Sequence, residues 1–404
     1  MQTNLDHLLL ATDFHVQPYA AYRQLREEAP VYWSEAWQAW LITRHDHAVE
    51  VLRQPEVFSS AGRFKSLFEQ FRGEQAAALI PIREHFATGI ISSDPPTHTR
   101  IRKLIRLGFT PRVVARLEST IRRLVDELLD EVADVGRMDV VEHLAYPLPV
   151  TVIAELLGFP REDRDLLRRW SNDVMDFQES GNVPFEVVQR AQTSIYEMRD
   201  YVAALFSERR QHPRDDLISG LVAAEEGGDR LTHEELLTTC VSILVAGHET
   251  TTSLIANAVL ALLQHPDQLQ QLKDDPSLAE GAVEEVLRYE APLQRIRRRV
   301  TKDLEFYGRS IKAEELFLLI VGSANRDPDH FSNPDRFDIR RPDRHLAFGY
   351  GIHFCVGAPL ARVEAPLAVN ALLRRMPRIQ MEDQTPRWDE FTIVRRQKSL
   401  PVSF

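Results

Sequence analysis

Apolar residues recur at the spacing of an α-helix along most of this chain, with polar residues between them. This pattern predicts helices at Tyr19–Glu28, His45–Arg53, Thr97–Leu107, Pro111–Val135, Tyr146–Leu157, Glu162–Phe177 and Glu186–Gln211. Aromatic and polar residues alternate from Val31 to Thr43, which predicts a hairpin. Two short β-like segments lie near Leu304–Phe306 and Leu316–Val321. The expected fold class is therefore mainly α with a minor β part.

One helix predicted in the second half of the chain is unusually long. It opens at Thr232, and Glu235 three residues later completes a capping box. The apolar pattern continues to Gln264, which makes roughly thirty residues, long for a globular protein. Its middle, Ile243–Ala246, is apolar on all sides, so we expect this helix to cross the core. Further helices are predicted at Ser277–Tyr289 and Gly357–Arg375.

Composition and charge exclude several classes of protein. The 404 residues are 44% hydrophobic and 27% charged, which is typical of a folded globular chain, and no linker divides them. We therefore expect a single domain over residues 1–404. The net charge of −11 disfavours nucleic-acid binding. No apolar run reaches membrane length, and Leu8–Ala11 is too short for a signal-peptide core, so we expect a cytoplasmic protein without a membrane partner.

The segment Phe348–Gly357 reads FGYGIHFCVG and places a cysteine, Cys355, just before a predicted helix. Its first two glycines indicate a tight turn that needs positive φ or a close backbone approach. Unpaired N–H groups at a helix start favour a thiolate over a thiol, whose ordinary pKa is about 8.5. The alternative is a buried structural cysteine in a glycine-rich turn. Only Cys240 accompanies it, and histidines do not cluster, so neither a disulfide nor a zinc site is expected.

This segment resembles the cysteine-ligand loop of the cytochrome P450 family, F-G-x-G-x-H-x-C-x-G, at every fixed position. The resemblance extends over essentially the whole chain. It implies the P450 fold, a triangular helical prism enclosing haem b. It also implies that Cys355 binds the haem iron and that Phe348 and His353 contact the haem. A thiolate ligand pushes electron density towards the iron and favours cleavage of the O–O bond.

Ala246–Thr251, in the long helix, reads AGHETT. Glycine inside a helix lowers its stability by roughly 0.5–1 kcal/mol relative to alanine, so the presence of Gly247 requires an explanation. The hydroxyl of Thr250 can bond the carbonyl four residues earlier and open the helix locally. The segment resembles the family's A-G-x-(D/E)-T-T motif. The resemblance implies that Glu249 and Thr250 are the catalytic groups that deliver protons to bound dioxygen, with Ala246 and Gly247 against the haem. The alternative is a glycine that relieves helix packing beside ordinary threonines.

Buried haem propionates need cationic or hydrogen-bonding partners. His98 and Arg102 are four residues apart on a predicted helix, and this spacing resembles the family's H-x-x-x-R pair. Arg298 lies where the family has a further propionate arginine, although arginines on both sides leave the register open. His353 completes the set. Each residue alone could equally be a surface ion pair of little energetic value.

A second set of charged residues resembles a structural feature of the family. Glu285 and Arg288 are three residues apart on one helix face and match its E-x-x-R motif. Arg336 matches the usual third partner. The resemblance implies a buried network that stabilises the fold and takes no part in the chemistry.

The resemblance also implies where substrate and electrons enter. The family lines its pocket at positions that here hold apolar residues, which favours an apolar substrate of small to medium size. These residues are Phe64, Phe68, Phe86, Val245, Leu293, Ile296, Phe391 and Ile393. From Asp94 to Arg123, eight basic residues stand against two acidic ones. We expect this stretch to dock an acidic ferredoxin or flavodoxin, reduced by its own reductase, since the P450 motifs occupy the whole chain.

The expected function is therefore a haem-thiolate monooxygenase that inserts one oxygen atom from dioxygen into its substrate. One alternative within haem chemistry is a peroxide-driven peroxygenase or an isomerase. The pair Glu249 and Thr250 argues against it, because those branches often lack the acid–alcohol pair. A second alternative is a haem carrier or gas sensor, which would not need a proton relay.

Overall fold

The computed structural model describes residues 4–179, 183–226, 231–383, 385–390 and 393–404. Its α-helices are α1 (Asp6–Leu9), α2 (Pro18–Glu28), α3 (His45–Arg53), α4 (Lys65–Glu69), α5 (Gly73–Ala78), α6 (Ile80–Thr88), α7 (Thr97–Ile105), α8 (Pro111–Asp130), α9 (Pro147–Leu157), α10 (Arg164–Glu179), α11 (Phe185–Gln211), α12 (Leu217–Glu226), α13 (His233–Gln264), α14 (Pro266–Asp274), α15 (Ala279–Tyr289), α16 (Val321–Ala324) and α17 (Ala358–Arg375). The expected mainly helical class is confirmed.

The β part consists of short strands. They are β1 (Val31–Ser34), β2 (Ala39–Ile42), β3 (Phe58–Ser59), β4 (Arg137–Asp139), β5 (Arg295–Val300), β6 (Leu304–Phe306), β7 (Arg309–Ile311), β8 (Leu316–Ile320), β9 (Gln380–Met381), β10 (Arg387–Trp388), β11 (Gln397–Ser399) and β12 (Pro401–Ser403). The predicted hairpin is β1 and β2, which pair antiparallel from Val31 opposite Ile42 to Ser34 opposite Ala39.

The largest sheet has the strand order β1-β2-β8-β5-β3. Strand β8 pairs in parallel with β2 and antiparallel with β5, so the hairpin near the N-terminus joins strands from the last third of the chain. Leu41, Leu318 and Ile320 of these strands are buried with Tyr22 and Leu25 of α2 in one apolar cluster. Burial of this kind contributes about 25 cal/mol per Å² of apolar surface, and it holds the sheet against α2.

The chain folds into two compact units, each with its own interior. Unit 1 comprises Met1–Ser59, Glu118–Leu148 and Thr250–Phe404, and it contains the large sheet, α15, α17 and Cys355. Unit 2 comprises Ser60–Leu117 and Pro149–Glu249, and it is built from helices. The division falls inside α13. Among the described residues, no helix combines the length and apolar character needed to cross a membrane.

Candidate active site

The loop before α17 has the backbone that its glycines predict. Gly349 has φ +71° and Gly351 has φ +70°, both in the left-handed region that side chains disfavour. A Cβ atom on Gly351 would also lie 2.5 Å from the carbonyl oxygen of Leu52, so no other residue fits there. The N–H of Cys355 donates to the carbonyl of Phe348 at 2.9 Å and closes the loop. The turn therefore presents Cys355 in one defined position.

The two cysteines have opposite surroundings. Both are free, but Cys355 is exposed whereas Cys240 is fully buried within α13. Burial raises the pKa of the Cys240 thiol, which keeps it protonated. The sulfur of Cys355 lies beside Gly357, the residue that precedes α17, with 3.9 Å between Sγ and a Cβ built on that glycine. Cys355 is thus the accessible thiol at a helix N-terminus, where N–H groups favour a thiolate.

Strand β5 resolves the order of the consecutive arginines. Its pairing with β8 is regular from Arg295 to Arg299, so side chains alternate between the two faces of the sheet. Arg298 is therefore on the same face as Ile296, whereas Arg297 and Arg299 are on the other. The Cδ1 atom of Ile296 lies 3.8 Å from a Cβ built on Gly349, so this face meets the cysteine loop. Arg298 is buried, and among the consecutive arginines it is the one on the sheet face that meets the cysteine loop.

In unit 2, α7 carries the other expected propionate partners. His98 and Arg102 are one turn apart; His98 is buried and Arg102 is half-buried. The carboxylate of Asp94, just before the helix, accepts the N–H of Ser60 at 2.9 Å. His353 lies in unit 1, half-buried at the end of a single 3-10 turn that begins at Gly351.

Helix α13 begins with the predicted capping box. The N–H of Glu235 donates to Thr232 Oγ1 at 3.2 Å, and the N–H of Thr232 donates to the Glu235 carboxylate at 2.8 Å. In the middle of the helix, Leu244 and Val245 are buried, whereas Ala246, which we expect to lie against the haem, is exposed. Thr250, one turn after Ala246, is half-buried. Ala246 and Thr250 therefore lie on one face of α13.

Gly247 meets a neighbouring helix. A Cβ on this residue would lie 2.8 Å from Cδ1 of Ile153 in α9, closer than atoms can pack. The packing explanation for this glycine, the alternative that the sequence left open, thus has direct support. A contact of Gly247 with haem would have to use its backbone.

Glu249 has a close neighbour that the sequence did not single out. Both Glu249 and His248 are buried. His248 Nδ1 lies 2.9 Å from the carbonyl oxygen of Leu244, which can only accept, so Nδ1 carries a proton. His248 Nε2 lies 3.2 Å from Glu249 Oε1. The imidazole therefore lies beside the Glu249 carboxyl, and Thr250 is the next residue along the helix. A histidine at a variable motif position carries no pattern that reveals this.

Part of the expected pocket is an aromatic cluster in unit 2. Ring centroids are 4.8 Å apart for Phe64 and Phe86, and 5.2 Å for Phe86 and Phe177. Phe68 lies 5.4 Å from Phe177. The cluster connects α4, α6 and α10 through Phe177, which helical periodicity marks only as an ordinary core position. Val245 is buried in α13.

The other expected pocket residues belong to unit 1. Leu293 forms an isolated antiparallel bridge with Val394, next to Ile393. Ile296 is buried on β5. Phe391 lies outside the described residues. Leu293, Ile393 and Ile296 are therefore close to β5 or on it, on the strand that also carries Arg298.

A family model described as Cytochrome P450 matches residues 8–404. This chain belongs to the cytochrome P450 family. Among its relatives, the cytochrome P450 monooxygenase PikC of Streptomyces venezuelae is 42% identical, covering 98% of this chain and 94% of the relative. The polyketide biosynthesis cytochrome P450 PksS of Bacillus subtilis (strain 168) is 37% identical, with coverage of 97% and 96%.

A solved structure confirms the expected P450 fold. The crystal structure of P450BioI in complex with an acyl carrier protein that bears hexadec-9Z-enoic acid matches with a TM-score of 0.90 and 35% identity. The match covers 98% of this chain and 100% of that one. The P450 family is haem-dependent, and relatives are named as monooxygenases and hydroxylases. This P450 is therefore an oxidoreductase of the monooxygenase class that acts on small molecules with dioxygen.

The donor chemistry of this P450 fits a haem iron. Within the described ranges, one group of three or more histidine, cysteine or carboxylate side chains could hold a metal ion, at His45, Asp46 and His330, and Cys355 is not part of it. A single accessible sulfur outside that group would suit the iron of a porphyrin, which can be held by one cysteine thiolate. It does not suit zinc, which needs three or four protein ligands.

The E-x-x-R motif of this P450 lies at the centre of a buried network. Arg288 donates to the two carboxylate oxygens of Glu285 at 2.7 and 2.8 Å, and both side chains are almost fully buried. The remaining donors of Arg288 reach the backbone carbonyls of Asn325, Pro334 and Arg336, at 3.0, 2.8 and 3.1 Å. The network thus ties α15 to the irregular chain before the cysteine loop.

The third side chain of this network differs from the prediction. Arg336 is exposed and takes part only through its carbonyl. The guanidinium that meets Glu285 is that of Arg341, with Nε 3.3 Å from Oε1, and this side chain is 7% exposed. The local motif predicts Arg336, but the path of the chain directs the side chain of Arg341, five positions later, towards Glu285.

Proposed function

We propose that this P450 uses haem b to insert one oxygen atom from dioxygen into an apolar organic substrate of small to medium size, with electrons from a separate ferredoxin or flavodoxin. The observation that carries the proposal is the accessible thiol of Cys355, held at the start of α17 by a glycine loop that admits no other residue at position 351. We further propose that residues 1–404 act as one catalytic domain.

Haem supplies the activation of dioxygen, and the residues of this chain hold it and manage protons. Cys355 would bind the iron, and Phe348 would pack beside it. We assign the propionates to His98, Arg102, Arg298 and His353, since charge-assisted hydrogen bonds are the strong ones for carboxylates. The position of Arg298, buried on the face of β5 that meets the cysteine loop, supports this assignment.

The test of this function is an isotope experiment. Purified holoenzyme, a ferredoxin with its reductase, and a substrate selected by spectral titration of an apolar compound library are incubated under labelled dioxygen. We expect one labelled oxygen atom in the product and the other in water. A product labelled only from water, or made without any reductant, would contradict the monooxygenase assignment.

The relatives indicate which compounds to test first. PksS is named for polyketide biosynthesis, and P450BioI was solved with an acyl chain on a carrier protein. Polyketide-like and fatty acyl molecules match the apolar rings of Phe64, Phe86 and Phe177, which offer no hydrogen bonds. These two classes should therefore be the first members of the library.

Replacing Thr250 with alanine should uncouple the enzyme. The Thr250 hydroxyl would hold a proton where dioxygen reacts, and without it more of the electrons from the donor protein would be lost in reducing dioxygen to peroxide or water. General acid–base groups contribute about 10²–10⁴-fold. We expect product per reduced nucleotide consumed to fall about tenfold or more. The Thr250→Ser variant retains the hydroxyl and should stay close to the wild type. Full coupling in Thr250→Ala would remove Thr250 from the relay.

The basic stretch before and along α8 supports an acidic electron donor. Several of its arginines form ion pairs, namely Arg100 with Glu235, Arg116 with Asp215 and Arg122 with Glu118. Arg106 and Arg112 are exposed, and the part of the chain that the structure describes shows no ion pair at either. A surface groove of about 610 Å³ is lined by Pro95, Pro96, Thr99, Arg100 and Lys103. Cations without a carboxylate of their own remain available for steering a partner.

Reversing the charge at Arg106 and Arg112 should weaken reduction by the donor protein. In Arg106→Glu/Arg112→Glu we expect the Michaelis constant for ferredoxin to rise about fivefold at low ionic strength, and the effect to shrink as salt is added. Arg378 is exposed and lies outside this stretch. The Arg378→Glu variant is the control for a charge reversal elsewhere on the surface and should leave the Michaelis constant for ferredoxin close to that of the wild type. An unchanged constant in the double variant would rule out docking here.

The alternative, a peroxygenase or isomerase, makes a different prediction. Such an enzyme needs no reductase and no buried acid beside Thr250. Product formation with hydrogen peroxide alone at the rate reached with the ferredoxin system would favour it. The buried carboxyl of Glu249, one residue before Thr250, supports the monooxygenase instead, because proton delivery needs an acid beside the alcohol.

A further inference from the structure

Glu284 of α15 joins the two ends of the cysteine loop. Nε and one terminal nitrogen of Arg362, in α17, donate to its two carboxylate oxygens at 2.7 and 2.8 Å, a bidentate contact. His345, which precedes the loop, brings Nε2 within 3.3 Å of the same carboxylate. One side chain thus contacts residues before and after Cys355.

The protonation of His345 follows from its second nitrogen. The N–H of Ala347 donates to His345 Nδ1 at 3.1 Å, so this nitrogen carries no proton. The nitrogen of His345 that faces Glu284 is therefore Nε2, on the opposite side of the ring. The cluster of Glu284, His345 and Arg362 accordingly contains one carboxylate and one guanidinium, with the His345 ring packed beside the carboxylate.

The cation of this cluster lies close to the cysteine loop. The guanidinium carbon of Arg362 is 4.8 Å from the centre of the Phe348 ring, and the carbonyl of Phe348 accepts the N–H of Cys355 at 2.9 Å. The pKa of Arg362 is raised, first by its hydrogen bonds to Glu284 and in smaller part by the charge of Cys355. Burial opposes ionisation of Glu284, yet Arg362 and then His345 lower the pKa of Glu284 to about 2. Both members of the pair stay charged near neutral pH.

We propose that Glu284 and Arg362 act as an opposed charge pair that sets the reduction potential of the haem bound by Cys355, with His345 as a positioning residue for Glu284. The inference depends on the proposed ligation by Cys355. Reduction adds one electron from the donor protein to the haem and its thiolate. A nearby cation favours that step, and a nearby anion opposes it. The fold holds both charges beside the cysteine loop, so their opposite effects on the reduction potential partly offset each other.

Neutral variants of the pair should shift the potential in opposite directions. Glu284→Gln leaves Arg362 without its counter-charge, so the potential should become more positive. Arg362→Gln removes the cation and leaves Glu284, so the potential should become more negative. Because the Arg362 and Glu284 side chains are 42% and 33% exposed, water screens both charges. We expect each shift to change the ratio of reduced to oxidised haem about threefold, or about 30 mV at 59 mV per tenfold for one electron.

The measurement is a spectroelectrochemical titration of the holoenzyme, with the spectrum of the reduced carbon monoxide complex recorded for every variant. The double variant Glu284→Gln/Arg362→Gln should return towards the wild-type potential. Arg374→Gln, an exposed arginine of α17, is the matched control and should not shift it. Glu284→Asp and Arg362→Lys conserve charge and should stay near the wild type.

The outcomes separate this proposal from the one on which it depends. A wild-type protein without the thiolate spectrum would end both. With that spectrum present, shifts of Glu284→Gln and Arg362→Gln in the same direction, or no shift in either, would overturn the charge-pair proposal alone. Charge-conserving variants that shift the potential as much as the neutral ones would do the same, since they would reveal a role in shaping the loop only.

Discussion

Cys355→Ser will abolish oxygen insertion. A serine hydroxyl is a poor ligand that stays protonated near neutral pH, so the iron loses the electron-donating sulfur that favours O–O cleavage. We expect product formation to fall by at least about 10³-fold, equivalent to about 4 kcal/mol of transition-state stabilisation. The assay is product formed with dioxygen, ferredoxin and reductase, at equal protein concentration.

The chain provides its own control for this substitution. Cys240 is the other cysteine, fully buried in α13, and its raised pKa keeps it a neutral thiol. Cys240→Ala should retain its haem and at least half of the wild-type turnover, at a modest cost in stability. Equal turnover by Cys355→Ser and the wild type, or loss only in Cys240→Ala, would remove Cys355 from the mechanism.

Arg288→Leu will cause the largest loss of stability outside the haem ligand. The substitution leaves Glu285 charged and about 1% exposed, and three backbone carbonyls lose their donor. Breaking a buried ion pair by removing one partner costs about 3–5 kcal/mol. We expect a decrease of that size in the free energy of unfolding, measured by denaturant titration of the holoenzyme.

Two other arginines make this prediction specific. Arg341→Leu should cost less than Arg288→Leu, because its contact with Glu285 is long at 3.3 Å and water can replace its exposed hydrogen bonds to the carbonyls of Ser332, Asn333 and Arg336. Arg336→Leu should change the free energy of unfolding by about 0.5 kcal/mol or less, since the exposed side chain is not part of the network. A loss for Arg336→Leu as large as for Arg288→Leu would show that side-chain contacts at Arg336 matter after all.

Long amphipathic elements and local turn chemistry were predictable from the sequence. Helix α3 and strand β6 have the predicted bounds, and α13 begins with the expected capping box. In each case the signal is local, because periodicity and capping residues act within a few positions. The glycines of the cysteine loop belong to the same class, since their positive φ is a property of the turn itself.

Strand β5 shows what local pattern cannot supply. Its sequence, Arg295–Val300, contains four arginines and resembles neither a buried nor a half-exposed strand. It is a strand because β3 and β8, distant in sequence, flank it on both sides. Pairing between distant segments overrides propensity here. The same pairing assigns Arg298 to the loop-facing side, which the run of arginines had left open.

The remaining errors at the site have the same origin. Arg341 and Phe177 reach their partners through the path of the chain between elements, and no spacing rule encodes that path. His248 occupies the variable position of its motif, so the sequence does not assign it a role, whereas the fold places its ring beside Glu249. Motifs identified the chemistry, but contacts between distant or unpatterned residues determine which side chains support it.

The spectrum of the reduced, carbon monoxide-bound wild-type protein tests the central claim most directly. A thiolate ligand would move the main absorption band of the reduced carbon monoxide complex to a characteristically longer wavelength than a nitrogen ligand or a neutral thiol would. We expect that long-wavelength band in the wild type and in Cys240→Ala. A band at the position typical of nitrogen-ligated haem, in protein that is fully loaded and still active, would contradict ligation by Cys355.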